Sequence, residues 1–264
     1  LLGLDHLGGL SGWQWMFIIE GVPATIVGFL LLYTLADSPA TATWLTPEQR
    51  AAVERRITAE PRHKAVTHFR AALRDKRVMI LALIQFGFTT GSYGVSIWVP
   101  QIIKAHVHSN LAVGFVSAGP YVLAAIGMML WAAAVDRGGR RVFHLIVTCF
   151  VATAGLLLSV ASGAFWVSFL WLTVALIGIT AARAVLWAIP ARFLTGVAAA
   201  GGLAFINSVG TLGGFVGPAV VGWLRGATGS FTAGLAGMGA FLLLSALLSA
   251  WLYRFIPRES VSHA

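Results

Sequence analysis

The chain has 264 residues, of which 58% are hydrophobic and only 10% are charged. Because soluble globular domains are about one-quarter charged, this composition excludes an ordinary water-soluble fold and indicates a protein embedded in a membrane. The net charge of +9 does not indicate a nucleic-acid partner, since the basic residues lie at the ends of apolar stretches rather than among aromatic residues that could stack on bases.

Seven stretches of the chain are long enough to cross a bilayer as α-helices. A hydrocarbon core of about 30 Å requires roughly 20 apolar residues in a helix, and backbone groups inside lipid must be paired, which favours helices over open strands. The seven stretches are residues 13–35, 78–99, 111–135, 142–161, 165–189, 198–223 and 231–255. We therefore predict an all-α membrane protein with about seven transmembrane helices.

A polar, basic segment separates the first stretch from the other six. Thr46, Pro47 and Gln49 form the pattern of a helix start, with Thr46 as the N-cap. We predict a short amphipathic helix over residues 47–59 that lies on the membrane surface. The residues after Pro61 fit a solvated charged loop equally well.

Lysine and arginine are concentrated on one side of the predicted membrane. Of the eighteen, fifteen lie in the linker, in the turn at residues 136–141, at Arg192 and beyond the last stretch, whereas only Lys104 and Arg225 lie on the opposite side. Cytoplasmic loops of membrane proteins carry such an excess of positive charge. This distribution predicts that the linker and the C-terminus are both cytoplasmic.

Several longer patterns resemble, in the right order, the anion:cation symporter family of the major facilitator superfamily. They are GWQWMFIIEGVP at residues 12–23, DSP and WLTPE in the linker, Tyr93 followed by WVPQIIK at residues 98–104, WAIP at residues 187–190, and FINSVG through GGFVGP at residues 205–218. The turn DRGGRR at residues 136–141 is similar to the superfamily signature at short cytoplasmic turns, although Ala132 stands where that pattern has glycine.

The resemblance implies the C-terminal part of such a carrier, in which two six-helix halves are joined by a cytoplasmic loop. Residues 1–35 would hold the last helix of the first half, residues 36–77 the linker, residues 78–256 the C-terminal six-helix half, and residues 257–264 a cytoplasmic tail. The chain begins at Leu1 rather than Met, and we expect an N-terminal part to be missing.

The activity implied by the resemblance is proton-coupled symport of small organic anions, such as tartrate-like, aromatic or sugar carboxylates, by alternating access. The proton gradient would drive it without any cofactor, metal or enzymatic reaction. The partners would be the organic acid, the lipid bilayer and the missing N-terminal half, in a bacterial inner membrane.

Polar side chains inside the predicted helices are the candidate substrate-binding residues, because such groups are costly in a membrane. Arg183 could bind a carboxylate with both arms of its guanidinium, or it could extend to the lipid headgroups. Trp187, one turn further on, could form an aromatic wall beside it or belong to the interfacial aromatic belt.

The same reasoning selects further residues on two other helices. They are Gln85, Tyr93, Asn207, Ser208 and Thr211. The amide of Asn207 either bonds a neighbouring helix or binds substrate. The candidate gating residues of the signature turn are Asp136, Arg137, Gly139, Arg140 and Arg141. For Glu20, a structural role is the better interpretation than proton transfer, and the glycines at residues 210–217 indicate close helix packing.

Two other functional classes fit the sequence less well. A seven-helix receptor or light-driven pump would fit the helix count, but a retinal pump needs a lysine within its last helix. The three lysines, Lys64, Lys76 and Lys104, all lie outside the middle of the predicted helices. A membrane enzyme is disfavoured because the sequence has no paired intramembrane acids, histidine cluster or nucleophile elbow, and its single cysteine, Cys149, provides no metal site.

Overall fold

The computed structural model describes residues 4–59, 68–104, 107 and 109–256, and this part of the chain contains helices and turns but no β-strand. It divides into two compact units, Leu1–Pro61 and Arg62–Ala264. The predicted tail at residues 257–264 and part of the predicted linker lie outside the described residues. The all-α membrane fold is thus confirmed.

The first unit contains helix α1, Gly12–Thr34, and helix α2, Pro47–Ala59. The helix start predicted at Thr46 is confirmed, because the Thr46 backbone N–H donates to the Gln49 side chain at 3.0 Å and the Gln49 N–H donates to Thr46 Oγ1 at 3.3 Å. This reciprocal pair satisfies two backbone donors that the first turn of a helix leaves unpaired.

The described part of the second unit contains eight α-helices. They are α3 (Phe69–Arg74), α4 (Lys76–Lys104), α5 (Asn110–Gly138), α6 (Arg141–Ala161), α7 (Phe165–Trp187), α8 (Gly196–Thr211), α9 (Gly213–Thr228) and α10 (Phe231–Leu252). Within the described residues of both units, six helical stretches are long and apolar enough to cross a membrane. Helix α4, which contains the predicted stretch at residues 78–99, has 29 residues and is long enough to be a seventh.

The predicted stretch at residues 198–223 lies within Gly196–Thr228, which is long and apolar enough to cross a membrane. Within this span the chain forms two helices, α8 and α9, which meet at Leu212. At this junction the N–H of Leu212 donates to Val209 O and that of Phe215 donates to Leu212 O, which are tighter i→i−3 bonds. Glycine is a poor helix former, and Pro218 cannot donate to the carbonyl of Gly214. Together they explain why regular α-helix is interrupted here.

Glycines let α8 and α9 approach α4 closely. A Cβ atom at Gly213 would collide with the Phe86 carbonyl oxygen, and one at Gly217 would collide with the Thr90 carbonyl oxygen. A Cβ at Gly210 would overlap the side chain of Gln85. The predicted role of these glycines in close packing is therefore confirmed, and α4 is fixed in position by backbone contact.

Helices α6 and α7 pack against each other in the same way. A Cβ at Gly155 would lie 2.6 Å from the Ala175 backbone nitrogen, and one at Gly178 would lie 2.5 Å from that of Ala152. The only cysteine of the chain, Cys149, lies on the buried face of α6 with 1% of its surface exposed. Its thiol is 3.9 Å from the Ser249 hydroxyl of α10.

The start of α4 is held by an ion pair. Arg77 donates to Asp75 Oδ2 at 2.6 Å, and its guanidinium lies 4.1 Å from the centre of the Phe193 ring. Burial acts to raise the pKa of the Asp75 carboxyl, but hydrogen bonds from the side chain and backbone of Arg77 outweigh it and lower that pKa below its ordinary value. This contact links the beginning of α4 to the segment that precedes α8.

We expect Gly217→Ala to lower the thermal stability of the detergent-solubilised protein. The added Cβ collides with backbone, which cannot move aside as a flexible side chain could, and overpacking of this kind costs about 1–3 kcal/mol. The measurement is the unfolding midpoint followed by circular dichroism.

The matched control is Gly222→Ala on the same helix, where a Cβ would meet no atom within 4 Å. Because alanine favours helix over glycine by about 1 kcal/mol, this variant should be as stable as the parent or more so. Equal midpoints for the two variants would contradict the close packing of α9 on α4.

Candidate functional site

A row of polar side chains runs along one face of α4. Gln85, Thr89, Ser92 and Ser96 are spaced by four, three and four residues, which places them on one side of an α-helix. Polar groups inside a membrane-spanning helix are expensive unless they serve packing or function. This row is therefore a candidate binding surface on α4.

Arg183 reaches the row from α7. Its Nη2 atom donates to the Ser92 hydroxyl at 3.2 Å, and its guanidinium carbon lies 6.0 Å from the centre of the Phe88 ring. In the described part of the chain no carboxylate forms an ion pair with it. The sequence adds that Asp136 is the only acidic residue between positions 78 and 256. The positive charge thus faces a neutral hydroxyl and an aromatic ring. One of the five guanidinium N–H donors is used in the Ser92 hydrogen bond, and the others remain available for a ligand.

Trp187 follows Arg183 by one helical turn at the end of α7. Its side chain is half-buried and packs against the apolar core of the second unit. An indole in this position can cover one side of a group bound at Arg183, because its ring is apolar and rigid.

Tyr121 extends the polar contacts toward the other end of the row. Its hydroxyl, on α5, donates to Ser96 Oγ at 3.1 Å. Ser92, Ser96 and Tyr121 were not among the binding residues predicted from the sequence. The spacing of the α4 row was a usable signal for the two serines, whereas nothing in the sequence of α5 indicates that Tyr121 faces Ser96.

Gln85 and Thr89 form the buried end of the row. Their exposed fractions are 6% and 4%, and neither Gln85 Oε1 nor Thr89 Oγ1 has a hydrogen-bond partner in the described part of the protein. Leaving a buried polar atom unpaired costs about 1–3 kcal/mol. Groups kept at that cost are good candidates for binding a ligand.

The other predicted binding residues are more exposed. Tyr93 is 47% exposed, and its ring borders the position that a Cβ at Gly214 would take, at 3.4 Å. Asn207, Ser208 and Thr211 are exposed on α8, where the Thr211 hydroxyl donates to the Asn207 carbonyl oxygen at 2.7 Å. In the described part of the chain, none of these four side chains hydrogen-bonds to the α4 row.

The signature turn lies between α5 and α6. Asp136 and Arg137 are exposed near the end of α5, and Arg141 begins α6. Gly139 has φ 60° and Arg140 has φ 46°, both in the left-handed region. Glycine adopts this conformation without steric cost, which explains the residue type at the first of these two positions.

The chain is similar to several curated transporters over almost its whole length. It is 44% identical over 260 residues to a protein of Agrobacterium vitis named a tartrate transporter, with 98% of this chain and 58% of the relative covered. It is 34% identical over 266 residues to a quinolone resistance transporter of Acinetobacter baumannii, covering 98% of this chain and 61% of that protein.

A third relative is the inner membrane transport protein RhmT of Escherichia coli, which is 30% identical over 269 residues, with 100% of this chain and 62% of the relative covered. The chain thus spans about three-fifths of the length of the curated relatives that it matches. No protein-family model matches it.

We expect Thr89→Val to leave the thermal stability unchanged or to raise it. Valine has the shape of threonine, and the hydroxyl that it removes makes no hydrogen bond in the described structure. The unfolding midpoint in detergent measures this effect.

The control is the neighbouring substitution Thr90→Val. Its hydroxyl donates to the Phe86 carbonyl oxygen at 2.8 Å, so its loss should cost about 1 kcal/mol. A larger loss of stability in Thr89→Val than in Thr90→Val would show that Thr89 is a structural residue.

Proposed function

Because the chain belongs to the major facilitator superfamily of membrane transporters, we propose that it forms the C-terminal part of a proton-coupled carrier of small organic anions. The carrier would move its substrate unchanged by alternating access, with two six-helix halves rocking about a site near the middle of the membrane. The relatives named for tartrate, quinolone resistance and metabolite transport support a small-molecule substrate.

The observation that carries the anion assignment is the environment of Arg183. A charged side chain in a membrane-spanning helix normally pairs with an opposite charge or marks the path of a substrate. Arg183 has only Ser92 and the Phe88 ring as described partners, and the six-helix half offers no intramembrane acid to neutralise it. We propose that the carboxylate of the substrate is its counter-charge.

The remaining predicted residues would complete the site around that carboxylate. Trp187 would cover the carbon skeleton of the substrate, and Tyr93 would border it from the α9 side. On α8, Asn207, Ser208 and Thr211 would offer polar contacts from an exposed surface. Gln85 would contribute a buried acceptor, which suits a substrate hydroxyl better than a carboxylate.

The proton would be carried by a group outside the six-helix half. Reversible protonation in the membrane requires a carboxylate or a comparable side chain. Asp136 is the only carboxylate between residues 78 and 256, and it is exposed near the end of α5. We therefore assign Asp136 and the arginines of its turn to gating at the cytoplasmic surface, and the coupling carboxylate to the other half of the carrier.

The proposed topology has the linker and the C-terminus in the cytoplasm of a bacterium, with the carrier in the inner membrane. Reporter fusions after Ala59 and after Ala264 should give cytoplasmic signals, because the positively charged segments are retained on that side. A fusion after Gly229, between α9 and α10, is the control and should report the opposite side. A periplasmic signal from either of the first two fusions would contradict the assignment.

Arg183→Lys should weaken the apparent affinity of the complete carrier for a carboxylate substrate about 10- to 150-fold. A lysine keeps the charge but cannot donate two parallel hydrogen bonds, and a charge-assisted contact contributes about 1.5–3 kcal/mol. The measurement is uptake of labelled tartrate into proteoliposomes, with competition by aromatic and sugar acids.

The matched control is Arg254→Lys, at an exposed position beyond α10, which should leave the affinity unchanged. If Arg183 only reaches the lipid headgroups, lysine would serve equally well. Unchanged affinity in Arg183→Lys, or equal transport of a neutral sugar, would overturn the assignment of an anion site.

A further inference from the structure

The hydroxyl pair of Ser96 and Tyr121 lies one helical turn beyond the Arg183 contact. Ser92 and Ser96 are four residues apart on α4 and project from the same face, so their positions differ by about 6 Å along the helix axis. Arg183 of α7 holds the first serine and Tyr121 of α5 holds the second. The Arg183 guanidinium and the Tyr121 hydroxyl therefore contact α4 one helical turn apart. This separation is comparable to the length of a four-carbon acid.

The direction of the hydrogen bond determines what this pair can bind. Tyr121 donates its only proton to Ser96 Oγ. Ser96 therefore keeps its own O–H for another partner, and a serine hydroxyl can accept and donate at the same time. The free group is a donor, which fits an oxygen acceptor such as a carboxylate or a hydroxyl oxygen.

The pair is also not enclosed by the described part of the chain. Tyr121 is 40% exposed and Ser96 is half-buried. Its hydrogen bond joins residues 25 positions apart, on two different helices. The pair is thus held in place by the fold but is not enclosed by it.

We propose that Ser96 and Tyr121 form a second polar subsite, which binds the end of the substrate remote from Arg183. The subsite selects acids that carry an oxygen acceptor about one helical turn from the first carboxylate. Dicarboxylic and hydroxylated acids satisfy both groups, whereas a simple fatty acid satisfies Arg183 alone. This inference rests on the proposed function, because it presumes that Arg183 binds the first carboxylate.

The test compares three competitors of labelled tartrate uptake by the complete carrier: succinate, malate and butanoate. Ser96→Ala should weaken competition by succinate and malate about 3- to 10-fold, as loss of one hydrogen bond predicts. Tyr121→Phe removes the hydrogen bond that orients Ser96 and should weaken competition by the same two acids, but by less than Ser96→Ala. Competition by butanoate, which has no second polar end, should stay the same in both variants. The expected result is therefore a lower ratio of the affinity for succinate or malate to the affinity for butanoate.

Two further variants separate binding from folding. Ser96→Thr keeps the hydroxyl and should retain the parent preference for succinate over butanoate. Tyr253→Phe removes a tyrosine hydroxyl beyond the end of α10 and should change neither the ratio nor the affinity. Unfolding midpoints within a few degrees of the parent would confirm that Ser96→Ala and Tyr121→Phe are folded.

Equal weakening of all three competitors would mean that the pair only clamps α5 to α4, and that result would overturn the subsite. An unchanged ratio would overturn it as well. The proposed function fails separately: if Arg183→Lys does not alter competition by any acid, the anion site itself is wrong. Loss of affinity in Arg183→Lys with an unchanged ratio in Ser96→Ala would leave the anion site standing and refute the subsite alone.

Discussion

Backbone contact between α4 and its neighbours is the constraint on which the rest of the second unit depends. On one side Gly210, Gly213 and Gly217 lie against α4, and on another Gly87 of α4 itself lies against Ser245 and the Phe241 carbonyl oxygen of α10. Larger residues at these positions would push the helices apart. With α4 packed so closely on these two sides, Ser92 and Ser96 are left to meet Arg183 of α7 and Tyr121 of α5.

Basic and acidic residues are distributed unevenly along the chain. Arg183 lies within a membrane-spanning helix, while the acidic residues of the chain lie in the first unit, in the linker, near the end of α5 or in the tail. Under the proposed function, this half supplies the charge that attracts the substrate but not the group that carries the proton. Transport would then require both halves, because binding and coupling reside in different parts of the carrier.

The sequence predicted long helices and their caps well, since apolar runs and the Thr46–Gln49 pattern depend on residues close together in the chain. It failed where tertiary geometry decides the outcome. The break at Leu212 arises from glycines that serve packing against α4, and hydropathy alone does not register it. The contacts of Ser92, Ser96 and Tyr121 depend on how α5 and α7 are rotated against α4, which no local pattern encodes. The predicted binding and gating roles remain proposals.

The burial of Cys149 has a practical consequence for spectroscopy. The chain has no other cysteine, and this thiol lies on the inner face of α6 with 1% of its surface exposed. A maleimide dye or nitroxide spin label would therefore react with newly introduced cysteines and leave the native one untouched. Pairs of such labels on α5 and α9 could follow distance changes during transport in an otherwise unaltered chain. A cysteine-free background, which would remove the contact between Cys149 of α6 and Ser249 of α10, is not needed.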